Sequence, residues 1–233
     1  MRSGAVVVVV VTLLTALAGS ALAQEVGDTL PIDDEETTPE PEGPAAPVEA
    51  APSRTSGARI HDGFFFRGGL NVGLLMLTAD ASREIEYSGL QGGLDLLFGG
   101  TLMPGLVVGG ALITGRTNRP GVDDGVTSRD LEGSLLFAGA AAFGNYYLDP
   151  REGLHLQGLA GFAGLDFVSA SGASSGNDPT GFFFGFGAGY DFWIADEWSV
   201  GPFARILYSM LSTKTDVTYR YFYPSIGAAV TYH

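Results

Sequence analysis

Between residues 58 and 233 the chain alternates with a period of two. In residues 64–76 the even positions are Phe64, Phe66, Gly68, Leu70, Val72, Leu74 and Met76; the odd ones are Phe65, Arg67, Gly69, Asn71, Gly73 and Leu75. In residues 90–99, Leu90, Leu94, Leu96 and Phe98 lie opposite Gln91, Gly93, Asp95 and Gly99. The pattern is clearest in 182–194, where Phe182, Phe184, Phe186, Ala188, Tyr190, Phe192 and Ile194 oppose Gly185, Gly187, Gly189 and Asp191. Residues 198–210 repeat it, with Val200, Ile206, Tyr208 and Met210 against Ser199, Gly201, Arg205 and Ser209. A helix needs a period of about 3.6, so these segments are predicted to be strands.

Turn signals divide the region into eight strands. Short connections are predicted at 103–105, 149–153 and 195–197, and longer polar ones near 79–87, 116–130, 170–180 and 212–218. Short and long connectors alternate, as in an up-and-down antiparallel sheet. Eight strands closed into a barrel enclose a space only just wide enough for side chains. The face of large apolar residues is therefore predicted to point outward, and the glycine-rich polar face inward. Lipid tolerates such an exterior, because a closed barrel satisfies its backbone hydrogen bonds internally. No run of 18 apolar residues occurs in 58–233, so helices are not the spanning elements. An interfacial aromatic belt is expected from Tyr87, Tyr146, Tyr147, Trp193, Trp198, Tyr208, Tyr219, Tyr221, Tyr223 and Tyr232.

The preceding residues differ in kind. Residues 1–23 place Arg2 before an apolar run and end in Ala21-Leu22-Ala23, the layout of a cleaved secretory signal peptide. Residues 24–57 hold nine acids, six prolines, one arginine (Arg54) and no aromatic residue, which predicts a disordered acidic tether in the periplasm. More than half of the formal charge of −14 therefore belongs to a segment without a core. Even so, 26 acids against 12 bases argue against a nucleic-acid partner. With no cysteine there is no disulfide framework and no Cys-ligated metal; no cofactor and no metal site are expected.

The last strand carries a motif. Ser225, Gly227, Val230 and Tyr232 lie within Ser-Ile-Gly-Ala-Ala-Val-Thr-Tyr, which resembles the terminal insertion signal of bacterial outer-membrane barrels, with His233 following the aromatic residue. Residues 58–233 as a whole resemble the small OmpA/OmpX-like outer-membrane barrel family. That resemblance implies an all-β, eight-stranded antiparallel transmembrane barrel in the outer membrane, recognised by the barrel-assembly machinery. No peptidoglycan-binding domain is expected after the barrel.

The inward polar set is predicted to contain Arg67, Asn71, Gln91, Asp95, Glu132, Ser134, His155, Gln157, Asp191 and Arg205. Charges in a narrow lumen should pair. Arg67 with Asp95 is the first expected pair, and Arg205 with Asp191 or Glu132 the second. The functional reading of such a network is a gate or a proton-linked leak; a satisfied polar plug that replaces an apolar core is the expectation. An enzyme acting on lipid A would need a Ser–His pair with a carboxylate at the outer leaflet. His61, His155 and His233 all fall at the periplasmic end instead, so no catalysis is expected. In the 116–130 loop, Arg116, Arg119 and Arg129 are candidate contacts for lipopolysaccharide phosphates. The expected protein is a monomeric structural barrel with lipid and lipopolysaccharide as partners; a solute pore and a lipid A-modifying enzyme are the alternatives.

Overall fold

The computed structural model describes residues 61, 63–169, 178–215 and 217–233. The predicted signal peptide at 1–23, the tether at 24–57 and residues 170–177 of the predicted 170–180 loop lie outside the described residues.

The alternating segments form strands β1 (Phe64–Asp80), β2 (Glu84–Met103), β3 (Leu106–Asn118), β4 (Gly121–Asp123), β5 (Ser128–Asp130), β6 (Gly133–Tyr147), β7 (Leu154–Ser169), β8 (Thr180–Tyr190), β9 (Phe192–Trp193), β10 (Trp198–Ser212) and β11 (Thr218–Tyr232). β1, β2, β3, β6, β7, β8, β10 and β11 pair in that order, and β11 pairs back onto β1. The result is a closed, antiparallel, eight-stranded barrel. β9 extends the wall beside β10, while β4 and β5 form a small hairpin docked on β2.

The stagger of the barrel can be followed along one set of paired residues. Starting at Met76, the path runs through Phe222, Tyr208, Phe184, Ala160, Ala142, Gly110 and Phe98, and returns to β1 at Phe66, ten residues from its start. Such a displacement tilts the strands and sets the barrel's width. The Met103-Pro104-Gly105 turn reverses the chain between β2 and β3, with Gly105 at φ 80°, a conformation open to glycine.

In the eight barrel strands paired positions join residues of like parity, as in Met76 with Phe222 and Arg67 with Leu97, except for Met103 with Leu106 at the irregularity that ends β2. All eight barrel strands therefore turn their odd residues inward. Ser134 apart, every buried residue of these strands is odd-numbered. Their exposed large apolar residues, from Phe64 and Leu70 to Ile226 and Val230, are even-numbered except for Met103 at the end of β2.

Three expectations need correction. The connection between β1 and β2 spans 81–83, not 79–87, because the strands continue past the apolar belt. There the outward residues Glu84, Glu86 and Ser88 are polar, while Ile85 and Tyr87 still face in, so strand residues read as loop. The aromatic belt is smaller than expected. Tyr147, Tyr221 and Tyr223 are buried in the lumen, and Tyr87 and Tyr219 pack against the same core. Finally, the inward face is not thin. Phe65, Leu75, Leu77, Leu97, Phe137, Phe183 and Leu207 fill the barrel alongside the polar groups. Glycines across the lumen make this possible: a Cβ on Gly139 would lie 2.7 Å from the Phe183 ring.

Candidate functional site

The polar residues of the lumen form two linked clusters. In the first, Arg205 on β10 donates to Asp95 on β2, with Nη2 2.9 Å from Oδ2 and 3.0 Å from Oδ1. Asn71 Nδ2 donates to the same carboxylate at 3.0 Å. The Tyr223 hydroxyl donates to Asn71 Oδ1 (2.8 Å) and lies 3.0 Å from the Gln91 carbonyl. Gln91 then donates to the Tyr221 hydroxyl and accepts from Thr117 Oγ1.

The second cluster lies nearer the short-turn end. Arg67 Nη1 donates to His155 Nε2 at 2.8 Å and stands 3.6 Å from Asp191 Oδ2. A guanidinium has no lone pair to offer, so His155 Nε2 must be the acceptor. Its proton is on Nδ1, which donates to the Gly153 carbonyl at 3.0 Å. The Tyr147 hydroxyl donates to Asp191 Oδ2 at 2.9 Å. Both guanidinium groups approach the ring of Phe203, Arg67 at 5.5 Å and Arg205 at 5.7 Å. Two arginines balance two aspartates, and all four are nearly inaccessible.

The predicted pairs are thus exchanged. Asp95 takes Arg205, and Arg67 takes Asp191 and His155. β10 is separated from β2 by β11 and β1, so the first pair spans the lumen and is invisible to wall register. Glu132 is exposed and lies outside the network, in the connection leading into β6. Ser134 is on the outer wall, where it meets Arg116 and Asn118. The placement of Ser134 follows from parity: Leu135 and Phe137 point inward, so even-numbered β6 residues point outward. Gln157, Asn71, Asp95, His155, Asp191, Arg67 and Arg205 line the interior as expected. The phenol hydroxyls of Tyr147, Tyr221 and Tyr223 complete the clusters. Sequence reasoning missed them, though counting parity back from Tyr232 identifies Tyr221 and Tyr223, and counting on from Leu135 in β6 identifies Tyr147.

Little space remains. A void bounded by Arg67, Asp95, His155, Gln157, Phe203 and Arg205 measures about 10 Å³, room for roughly one water. On the long-loop side, Phe137 stacks on Tyr221 at 4.6 Å and meets Phe183 edge-on at 5.7 Å. At the short-turn end His61, Tyr147, Trp193 and His233 close the floor. Burial lowers the pKa of His61 and pushes that of His233 down to about 3.

In the motif of the last strand, Ser225 and Gly227 face the lumen, while Val230 and Tyr232 face outward. Gly227 sits against the Leu70 carbonyl and the Phe203 ring, and the Tyr232 hydroxyl donates to Glu197 at 2.6 Å. Outside the barrel, Arg116 is held by Asn118 (2.8 Å) and Ser134 (3.1 Å). The side chains of Arg119 and Arg129 are exposed and make no hydrogen bond or ion pair among the described residues.

A closed eight-stranded antiparallel barrel with an apolar outer wall and a filled lumen is the architecture of an outer-membrane β-barrel. Residues 76–215 match the family model of the autotransporter beta-domain, and the chain belongs to that family. Among solved structures, it is similar to Ail, the attachment invasion locus protein of Yersinia pestis, with 18% identity and a TM-score of 0.39 over 72% of this chain and 99% of that one. Neisserial surface protein A is similar at 12% identity and a TM-score of 0.45, covering 72% of this chain and 96% of that one. OprG of Pseudomonas aeruginosa gives 13% identity and a TM-score of 0.42, over 76% and 99%. No curated protein matches the chain.

Proposed function

We propose that this barrel is a structural component of the outer membrane, supporting the envelope without passing solute and without catalysis. The observation that carries the reading is the filled lumen. The aromatic floor, two charge-balanced clusters and the apolar layer around Phe137 follow one another along the axis, with space for about one water between Arg67 and Arg205. An ion would have to break the Asp95–Arg205 pair and then displace packed Phe137, Phe183 and Tyr221. All three histidines are committed to hydrogen bonds within the short-turn end, which supports a non-catalytic role.

In this reading the short-turn end faces the periplasm, a cleaved signal peptide delivers the chain, and the barrel-assembly machinery reads the motif from Ser225 to Tyr232. The barrel works as a monomer in contact with lipid and lipopolysaccharide. Arg116, held at the outer wall beside exposed Arg119, supports the lipopolysaccharide contact. Planar-bilayer recording of the purified protein tests the central claim. Bilayers should stay silent, and large, steady conductance steps would overturn it in favour of a pore. An Arg116→Ala variant should copurify with less lipopolysaccharide; unchanged copurification removes that contact.

A further inference from the structure

The floor of the barrel holds a contact that the structural role does not require. His61 precedes β1, His233 follows β11, and their Nδ1 atoms are 2.9 Å apart. The His61 ring lies between Tyr147, at 3.5 Å and 15°, and Trp193, at 4.8 Å and 27°. Its backbone is tied down as well: His61 N donates to the Pro150 carbonyl at 3.2 Å, and Thr101 Oγ1 donates to the His61 carbonyl.

The proton positions follow from the partners. His61 Nε2 is 3.0 Å from the Glu152 carbonyl, which can only accept, so Nε2 carries the hydrogen. Neutral His61 then offers a lone pair at Nδ1, and His233 Nδ1–H fills it. His233 Nε2 is left as an acceptor, 2.8 Å from Ser199 Oγ, which donates to it. The chain from Ser199 through His233 and His61 to Glu152 is complete when both rings are neutral. One added proton can be accommodated by reversing the chain, with His61 Nδ1–H donating to His233 and His233 Nε2–H donating to Ser199. Two cannot, because both Nδ1 atoms would then carry hydrogens pointing at each other.

We propose that the His61–His233 contact is an acid-released latch, which docks the His61 ring into the barrel floor when both rings are neutral and frees it when both take up protons. The surrounding groups favour the neutral state. Arg67 of β1 and His155 of β7 stand on the cationic side; among the described residues Asp191, at the β8–β9 junction, is the carboxylate that acts on His61, and it is already engaged by Arg67 and Tyr147 of β6. Glu152 and Glu197 face the pair through main-chain carbonyls.

The sign follows from linkage. Docked histidines have lowered pKa values, so the released form binds more protons below the ordinary value of 6.5. The docked state is favoured above that pH and loses ground as pH falls. Between pH 7 and pH 5 His233, held down to about 3 when docked, shifts the equilibrium toward release by about 25-fold, and His61 pushes in the same direction.

Side-chain NMR of the full-length, isotope-labelled protein in micelles tests this, since the chain has only three histidines. At pH 7.5, His61 should be the Nε2–H tautomer and His233 the Nδ1–H tautomer. On acidification, ring-current shifts from Tyr147 and Trp193 on His61 should vanish as the pair takes up protons, with the strand amides unmoved. A His61→Phe variant keeps a stacking ring without a titratable nitrogen and should remain docked at pH 5. The latch is overturned if His61 titrates near 6.5 with its ring-current shifts intact, if those shifts persist to pH 4, or if the strands melt in the same transition. Undocking of His61→Phe over the same pH range as the native chain overturns it too.

Discussion

Replacing Asp95 by Ala isolates the central charge pair. The carboxylate is 3% exposed and accepts one hydrogen bond from Arg205 Nη2 and one from Asn71, both at 3.0 Å, with Nη2 also 2.9 Å from its other oxygen. Its loss leaves a guanidinium buried without a counter-ion, while Arg67 continues to hold Asp191. Removing one partner of a buried pair costs about 3–5 kcal/mol. With a urea slope of about 1–3 kcal/mol per molar, the unfolding midpoint should fall by roughly 1–5 M. The assay is equilibrium unfolding and refolding in detergent, followed by tryptophan emission and by the migration shift between unboiled and boiled samples. The double replacement Asp95→Leu with Arg205→Met removes both charges and preserves apolar volume, so it should lie nearer the native midpoint than Asp95→Ala alone. If the double variant is as unstable as the two single costs combined, uncompensated charge is not the cause and the argument fails.

Other outcomes follow from single contacts. Tyr223→Phe removes the donor to Asn71 Oδ1 and should cost about 1–3 kcal/mol in the same unfolding assay, with Asn71→Ala in the Phe background adding less than it does in the native chain. Gly227→Val drives a side chain against the Leu70 carbonyl and the Phe203 ring; the yield of heat-modifiable barrel after refolding should fall sharply, whereas Ile226→Val on the lipid face should leave it unchanged. Asp124 accepts from the backbone N–H groups of Thr127 and Val126, which hold its carboxyl below the usual range. That support is present above the ordinary carboxylate value of about 3.8 and is lost as pH falls through the lowered one. The Thr127 amide resonance should therefore hold its position to below pH 3.8 and then move.

Strand existence and number were legible because alternation is enforced at every position by lipid on one side and the lumen on the other. The chain ends of the strands were not. At Glu84–Ser88 the outer face meets water, so polarity appears on both sides and the strand signal fades. The bulk of the lumen was underestimated for a related reason. Phe183, Phe203 and Leu207 are odd-numbered residues inside segments whose even positions are also apolar, and alternation by hydropathy alone does not separate them. Individual polar residues were assigned to the correct face wherever parity was unambiguous, as with Arg67, Asp95 and Arg205. Their partners were not, since long side chains reach across the lumen from strands that are not neighbours. The meeting of His61 with His233, 172 positions apart, depends on barrel closure.

The like-parity pairing of all eight strands limits how this protein can change in length. A single residue inserted inside β6 would turn Phe137, Phe143 and Tyr147 toward lipid on one side of the insertion and send Ala138 and Ala140 into the lumen. The other seven strands would keep their orientation, so the mismatch could not be shared around the sheet. Viable insertions and deletions should therefore collect in connections such as 213–217, or occur within strands as pairs of residues or as bulges that restore parity. A collection of length variants selected for membrane insertion should show this two-residue rhythm along every wall segment.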